Sequence, residues 1–378
     1  MSGPLDGIRV LELAGIGPAP FCAMLLSDLG AEVVRIDRAD APVQTDPVTS
    51  RGRTALALDL KSPAGVELAL AAVGRADVLI EGFRPGVMER LGLGPEVALR
   101  RNPRLIYGRM TGWGQTGPLA HAAGHDIAYI ALTGALAALG PADRPPPPPL
   151  NLVGDFGGGA LYLAFGIAAA LYERERSGRG QVIDAAIVDG TASLMAFFHG
   201  ATASGRLSLA RDRSLLGGAA PNYRCYACAD GRYVAVGPLE PKFFALLLER
   251  LGIEPTVAAG AAAPDEWAAQ ADALAAVFAT KPRDAWTALL EGSDACVAPV
   301  LELDEAPAHP HLRARDVYLE RDGVLQPAPA PRFSRTPGAI RRNAPSHDEG
   351  GRETLRRWGV DLPEQPVAER YSAAPPPS

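Results

Sequence analysis

Ile8-Arg-Val-Leu-Glu-Leu13, then Ala14-Gly-Ile-Gly-Pro-Ala-Pro20, then Phe21–Leu29 closed by Gly30, then Glu32-Val-Val-Arg-Ile36: this stretch decides the fold. An apolar, β-branched run reads as a strand, the glycine–proline segment as a turn, and the next apolar stretch as a helix stopped by glycine. A second strand follows at once. The same alternation continues outward. Leu56-Ala-Leu-Asp-Leu60 leads into Ser62-Pro63, an N-cap with proline at the first helical position, and a helix to Val73. Asp77-Val-Leu-Ile80 and Leu105-Ile-Tyr107 read as further strands.

Strand–helix alternation of this kind predicts an α/β fold, a doubly wound, Rossmann-like parallel sheet with helices on both faces. Its ligands belong on the loops at the carboxyl ends of the strands: Ala14–Pro20, Lys61, Glu81–Pro85 and Arg109–Gly117. Beyond the stiff run Pro145–Pro149 come the glycine cluster Gly154-Asp155-Phe156-Gly-Gly-Gly159, an alanine-rich segment read as a buried core helix (Ala160–Tyr172), and the strand Gln181–Val188. The texture changes near residue 200, so a smaller α+β domain is expected at 221–325. A linker at 191–220 would precede it, and 1–190 with 326–378 would form the large domain. The proline- and arginine-rich tail from Pro327 reads as a return segment over the surface.

Composition narrows the function. In 378 residues, 47% are hydrophobic and 21% charged, and 37 Lys+Arg against 43 Asp+Glu leave a net charge of −6. That balance excludes disordered and basic-patch classes and gives no footprint for nucleic acid. Three of the cations are lysines (Lys61, Lys242, Lys281) and the other 34 are arginines. The first ten residues carry Asp6 and Arg9 where a signal peptide would be apolar. The longest uncharged run, Phe156–Tyr172, is 17 residues, against about 20 for a spanning helix. Cys225-Tyr-Ala-Cys228 stands alone, without the second Cys or His pair that zinc requires. A cytoplasmic enzyme with neither a membrane nor a metal is expected.

One motif tempts toward a dinucleotide. Gly15-Ile-Gly17 follows a strand and opens a helix, with Asp37 22 residues beyond Gly15. Pro20 stands where the third glycine belongs, however, and Pro18 and Pro20 lack the N–H groups that a helix start aims at a pyrophosphate. An NAD-dependent oxidoreductase is thereby the alternative from another class.

Longer phrases carry a resemblance. Gly3-Pro-Leu-Asp-Gly-Ile-Arg-Val-Leu-Glu-Leu13, Asp28-Leu-Gly-Ala-Glu-Val-Val-Arg-Ile-Asp37 and Leu79-Ile-Glu-Gly-Phe-Arg-Pro-Gly86 resemble the family III CoA-transferases. So do Arg109-Met-Thr-Gly-Trp-Gly-Gln-Thr-Gly-Pro118, Gly124-His-Asp-Ile-Ala-Tyr129, Asn151–Gly159, Ser293–Val300 and Pro329–Pro337, and within the family the likeness is greatest to its racemase branch. The resemblance spans about residues 3–340. It implies an interlocked homodimer and racemisation of 2-methylacyl-CoA esters through a thioester enolate, with CoA as part of the substrate and no separate cofactor.

By that resemblance His125 and Asp155 are the two proton-transfer groups, one on each face of the α-carbon. Imidazole as a residue type exchanges its proton near neutral pH. Glu240, in Gly237-Pro-Leu-Glu-Pro241, would orient His125, across the dimer interface. The Asp126 N–H, at a helix start, would meet the enolate oxygen. Without the family, Asp155 reads as an N-cap, His125 as a turn histidine and Glu240 as a solvated loop acid. The phosphates of CoA call for guanidinium forks and a lysine. Arg38, Leu58-Asp59-Leu60-Lys61, Gly82-Phe83-Arg84 and Arg90 match family CoA contacts, as do Ile16, Gly124 and Tyr129. The chain departs from the racemase pattern at Gly217, Asn222 and Arg224, where acids and a tyrosine are usual, and at Ile187 in place of a methionine. Those departures bear on the acyl chain more than on the proton chemistry. The same-family alternative is a CoA-transferase using Asp155 as nucleophile.

Overall fold

Six apolar segments form one sheet: β1 (Arg9–Leu13), β2 (Glu32–Arg38), β3 (Arg53–Leu58), β4 (Val78–Glu81), β5 (Ile106–Thr111) and β6 (Gln181–Ala186). The computed structural model describes residues 3–40, 46–253 and 266–362. The strand order is β3-β2-β1-β4-β5-β6, and β1 to β5 pair in parallel, with Leu11 opposite Val34 on one side and Leu79 on the other. This is the doubly wound order, and its reversal between β1 and β4 opens a crevice at the strands' carboxyl ends.

The helices begin where local chemistry starts them. In α1 (Pro18–Asp28), proline opens the first turn after Gly17, whose φ of 70° glycine tolerates. In α2 (Pro63–Val73), the Ser62 hydroxyl accepts the Gly65 N–H at 3.1 Å, as its sequence predicts. Short α3 (Val87–Arg90) and α4 (Pro95–Arg101) follow β4. Further on come α5 (Asp126–Leu132), α6 (Leu161–Ser177), α7 (Ile187–Leu194) and α8 (Ala196–Ala203).

Alternation along the strands gives the sheet two unlike faces. Leu11, Leu13, Val34, Ile36, Leu56 and Leu79 enter an apolar core. The other face carries buried charge: Arg53 Nε donates to Glu12 Oε2 at 2.5 Å with both side chains wholly buried, and Arg35 forks onto Asp37 at 2.6 and 3.0 Å. Arg53 also donates to the carbonyls of Thr49 (2.7 Å) and Pro20, so the buried pair ties down the turn after β1.

The tail does more than lie over the surface. Ala55 N–H donates to Glu349 O, a helix follows at Gly351–Arg357, and Leu355, Trp358 and Val360 are buried in the same core. Burying these apolar side chains holds the tail down, and the Trp358 indole also satisfies its polar edge by donating from Nε1 to Glu32 at 2.6 Å.

The second unit centres on the antiparallel sheet β7 (Arg224–Ala227), β8 (Tyr233–Val236), β9 (Val297–Pro299). Against one face lie α9 (Pro241–Leu251), α10 (Trp267–Phe278) and α11 (Arg283–Leu290), which bury Tyr226, Val234, Phe244, Leu247, Phe278 and Trp286. A one-turn α12 (Pro310–Ala314) and the hairpin β10 (Tyr318–Arg321)–β11 (Val324–Pro327) close it. Contacts gather residues 1–110, 163–184 and from 329 onward into one unit, and 111–162 with 185–328 into the other. Residues 111–162 and 185–220, expected in the large domain and the linker, group with 221–328, and within that unit α5 and the segment Leu152–Ala160 both pack on α7.

The segment expected as a buried core helix is buried on one side only. In α6, Leu163, Ile167, Ala170 and Leu171 face inward, whereas Leu161, Phe165 and Tyr172 are exposed. The run Leu152–Ser177 is long and apolar enough to cross a bilayer by length and composition, yet it carries Arg174, buried in an ion pair with Asp77 at 3.0 Å.

Candidate active site

His125 stands at the N-cap of α5, extended in backbone (φ −134°, ψ 172°), with its side chain exposed and unused as a cap. Its carbonyl accepts the Ala128 N–H at 2.8 Å, which starts the helix. The turn is braced from behind. The Tyr129 hydroxyl donates to the Gly124 carbonyl, and its ring meets Trp113 edge to face at 4.8 Å. Gly124 is required there, since a Cβ would stand 3.1 Å from Trp113 and closer still to Tyr129. Bracing the backbone leaves the imidazole free for chemistry.

Asp155 is not the N-cap that its place before three glycines suggests. It lies inside a π-helical segment, Leu152–Ala160, that runs straight into α6, with Phe156 N–H donating five residues back to Asn151 O at 3.1 Å. Wide π turns are uncommon and recur at functional sites. The glycines make this one possible by close approach: a Cβ on Gly158 would stand 2.7 Å from the Thr191 nitrogen and 3.1 Å from the Ile187 carbonyl of α7.

The two segments are joined by a carboxylate. Asp155 N–H donates to Asp126 Oδ2 at 2.6 Å, and Asp126 is buried, with Oδ1 lacking a partner. Desolvation raises the Asp155 carboxyl above the usual aspartate range, and the neighbouring Asp126 charge adds to it. A hydrogen bond with Asn151 and the field of His125 oppose that rise. The His125 charge is thus one of the groups that act on the Asp155 carboxyl. Asp126, expected to act through its N–H, has no intrahelical acceptor for that group at the first helical position, and its side chain proves structural as well.

Glu240 is exposed at the N-cap of α9, with no side-chain capping bond. Among the described residues it forms no hydrogen bond to His125; its charge acts instead on Cys296, whose thiol is pushed up by burial, then by Glu240 and Asp294.

The other unit carries the loops expected for CoA at the β1/β4 switch point. Ile16 projects from Gly15–Gly17 with 82% of its surface exposed. Arg38 leaves β2 exposed and forked onto Asp40 at 3.0 and 2.8 Å. Leu58 is buried at the end of β3; Asp59, Leu60 and Lys61 form the turn into α2, where Asp59 Oδ1 accepts the Lys61 N–H at 3.0 Å. Gly82-Phe83-Arg84 follows β4, and Arg84 and Arg90 are exposed without carboxylate partners among the described residues. Gly124 and Tyr129, expected among the same contacts, belong to the unit of His125.

Two features escaped the sequence reading. Glu81 Oε2 accepts the Phe83 N–H at 2.8 Å while Arg109 Nε donates to Glu81 Oε1 at 2.9 Å and Arg109 bridges on to Glu89 at 2.8 Å, so a buried ion pair holds the Gly82–Arg84 loop. Burial raises the Glu81 carboxyl despite these partners. The signal was there: Glu81 ends the otherwise apolar β4, and Arg109 stands inside the otherwise uncharged β5. Asn151 also lay outside the expected set. Among the described residues no group of three His, Cys, Asp or Glu side chains could hold a metal ion.

Fold and site together define an α/β protein with a nucleotide-type crevice in one unit and an imidazole–carboxyl pair in the other. The model of CoA-transferase family III matches residues 5–350. The chain is 46% identical to the alpha-methylacyl-CoA racemase of Mus musculus over 95% of its length and 94% of that protein's. It is 42% identical to the alpha-methylacyl-CoA racemase of Homo sapiens over the same shares. A crystal structure of a CAIB/BAIF family protein from Brucella suis superposes with a TM-score of 0.81 at 28% identity, covering 95% of this chain and all of that one. The chain belongs to CoA-transferase family III.

Proposed function

We propose that this protein is an isomerase that interconverts the R and S epimers of 2-methylacyl-CoA esters by moving a proton between the two faces of the α-carbon. The observation that carries the reading is the hydrogen bond from the Asp155 N–H to Asp126, which ties the segment of Asp155, its carboxyl raised by desolvation, to the helix that His125 caps; the racemases to which the chain is similar support it.

In one direction His125 accepts the α-proton, and the C–H electron pair moves onto the thioester oxygen as an enolate. Asp155 then donates its own proton to the opposite face. The pair ends as imidazolium and carboxylate, the starting state for the reverse epimer. Such an exchange needs an acid and a base of similar strength. Desolvation and the Asp126 charge push Asp155 in that direction, where a carboxylate nucleophile for CoA transfer would be better left low. The Asp126 N–H stabilises the enolate oxygen. Arg38, Lys61, Arg84 and Arg90 hold the CoA phosphates, Ile16 and Phe83 border its apolar part, and no cofactor beyond the substrate enters. The working form is a homodimer in which Glu240 of one copy serves His125 of the other.

Incubation of a single epimer of 2-methyldecanoyl-CoA in D₂O tests this. Racemisation with deuterium entering the α-position, in the absence of any carboxylate acceptor, is expected. Deuterium-free CoA exchange that needs a carboxylate acceptor establishes the transferase instead.

A further inference from the structure

One cavity of the second unit is lined by neither His125 nor Asp155. It measures about 1120 Å³, above the 300–1,000 Å³ of ordinary ligand pockets. Two adjacent rows of the β7-β8-β9 sheet line it: Cys225, Ala235 and Ala298 on the face turned away from the helices, and at the end of the sheet Arg224, Val236 and Val297, next to which Trp267 opens α10. Three small side chains in a row leave the space that larger ones would fill. Tyr223, Leu216 and Trp267 add apolar wall.

Two arginines line it, and they are not alike. Arg211 is committed, donating to the carbonyls of Pro141 and Arg144 at 2.7 Å each. Among the described residues Arg224 has no carboxylate partner, and its Nε is buried without a hydrogen bond. Its guanidinium lies 5.5 Å from the Tyr226 ring centre, which orients it without neutralising it. The acids on the cavity, Asp143 and Asp212, leave it alone: Asp143 is paired with Arg144 at 3.3 Å, and neither reaches Arg224. A buried donor on an unpaired cation is costly unless a ligand completes it.

The charge of Glu240 is felt at the cavity wall. Gly237 lines it three residues before Glu240, and the Glu240 charge acts on Cys296, which lines it as well. We propose that this cavity receives the distal part of the substrate's acyl chain and that Arg224 pairs with a carboxylate at that chain's far end, which makes the preferred substrate a 2-methylacyl-CoA with an anionic terminus. The acyl assignment rests on the racemase reading; the cavity's preference for an apolar chain bearing a carboxylate does not.

Cys225 and Cys296 are exposed thiols in the cavity, whereas Cys22 and Cys228 are buried, so alkylation reports occupancy without any activity. Iodoacetamide labelling of both thiols is followed by peptide mass spectrometry during titration with decanoate and with decan-1-ol, in the wild type and in Arg224→Gln. Decanoate is expected to protect both thiols of the wild type, with at least tenfold more needed in Arg224→Gln, while the decan-1-ol titration stays the same in both proteins. Equal protection by decanoate in the two proteins, or none in either, overturns the site. In D₂O exchange, 2-methyldecanoyl-CoA carrying a terminal carboxylate is expected to exceed the uncharged thioester at least tenfold in kcat/KM, and Arg224→Gln to level the two. Equal kcat/KM in the wild type overturns the acyl assignment. Exchange with neither thioester defeats the racemase reading, and the labelling result still decides the cavity.

Discussion

Gly154→Ala places one methyl group against the link between the two proton-transfer segments. The added Cβ would stand 2.7 Å from Asp126 Cγ and 2.9 Å from Ile130 Cγ2, and nearer still to Asp126 Oδ2. Ordinary contact begins at 3.4 Å, so the carboxyl group must retreat by about 0.7 Å or more. It has little room, because Asp126 and Ile130 are both buried on α5. Retreat breaks the 2.6 Å bond from Asp155 N–H, a hydrogen bond to a charged group worth about 1.5–3 kcal/mol. Overpacking adds about 1–3 kcal/mol, and the alanine returns roughly 0.5–1 kcal/mol of backbone entropy. A net loss of about 2–5 kcal/mol follows, read as a lower urea midpoint by circular dichroism. A shift of this size between reacting groups costs about 10²-fold in rate, read by NMR as slower loss of the α-proton in D₂O. Gly200→Ala on α8 is the matched control: no atom lies within 4 Å of its Cβ, and it should be neutral or gain about 0.4–1 kcal/mol. Wild-type stability and exchange in Gly154→Ala would refute the role given to Asp126.

Asp155→Asn and His125→Ala should each slow α-proton exchange by about 10²–10⁴-fold with secondary structure intact, and near-wild-type exchange in either rejects the assignment. Because the folded Asp155 carboxyl is raised above its ordinary 3.8, the stability it contributes is present below that pH and is lost as pH rises through the folded value. Asp155→Asn should therefore gain on the wild type in urea midpoint between pH 3.5 and pH 7, and a loss over that interval contradicts the direction. Arg53→Met leaves Glu12 buried and unpaired, at a cost of about 3–5 kcal/mol that Glu12→Leu in the same chain should largely relieve; a cost below about 1 kcal/mol in urea unfolding would show the pair to be dispensable. Arg84→Ala and Arg90→Ala should each weaken CoA about tenfold in calorimetry at low salt while leaving far-UV circular dichroism unchanged. Unchanged affinity removes that arginine from the phosphate site.

Much of this was legible in the chain alone. The strand–helix alternation, the Ser62-Pro63 cap and the glycine stop at Gly30 are local signals, and each element formed within a few residues of its expected place. The phrases around His125 and Asp155 named the family. Other features had no local signal. Asp155 sits in a π-helical segment because Gly158 must let α7 approach, and that neighbour lies some 30 residues along the chain. The prolines and arginines of the tail look solvated in sequence, whereas Leu355 and Trp358 find core contacts made by β2 and β3.

Alternating hydrophobicity and turn chemistry act between near neighbours, so the sequence by itself determined the sheet, its helices, the carboxyl-end loops and the residues able to exchange a proton. Whether a carboxyl is desolvated, whether a cation is paired and whether two catalytic segments share a hydrogen bond depend on which distant groups fold against them. The raised Asp155, the Glu81–Arg109 brace beneath the Gly82–Arg84 loop and the Arg224 left without a carboxylate partner among the described residues were decided only by the tertiary structure, because burial and Coulomb energy are properties of distance in space.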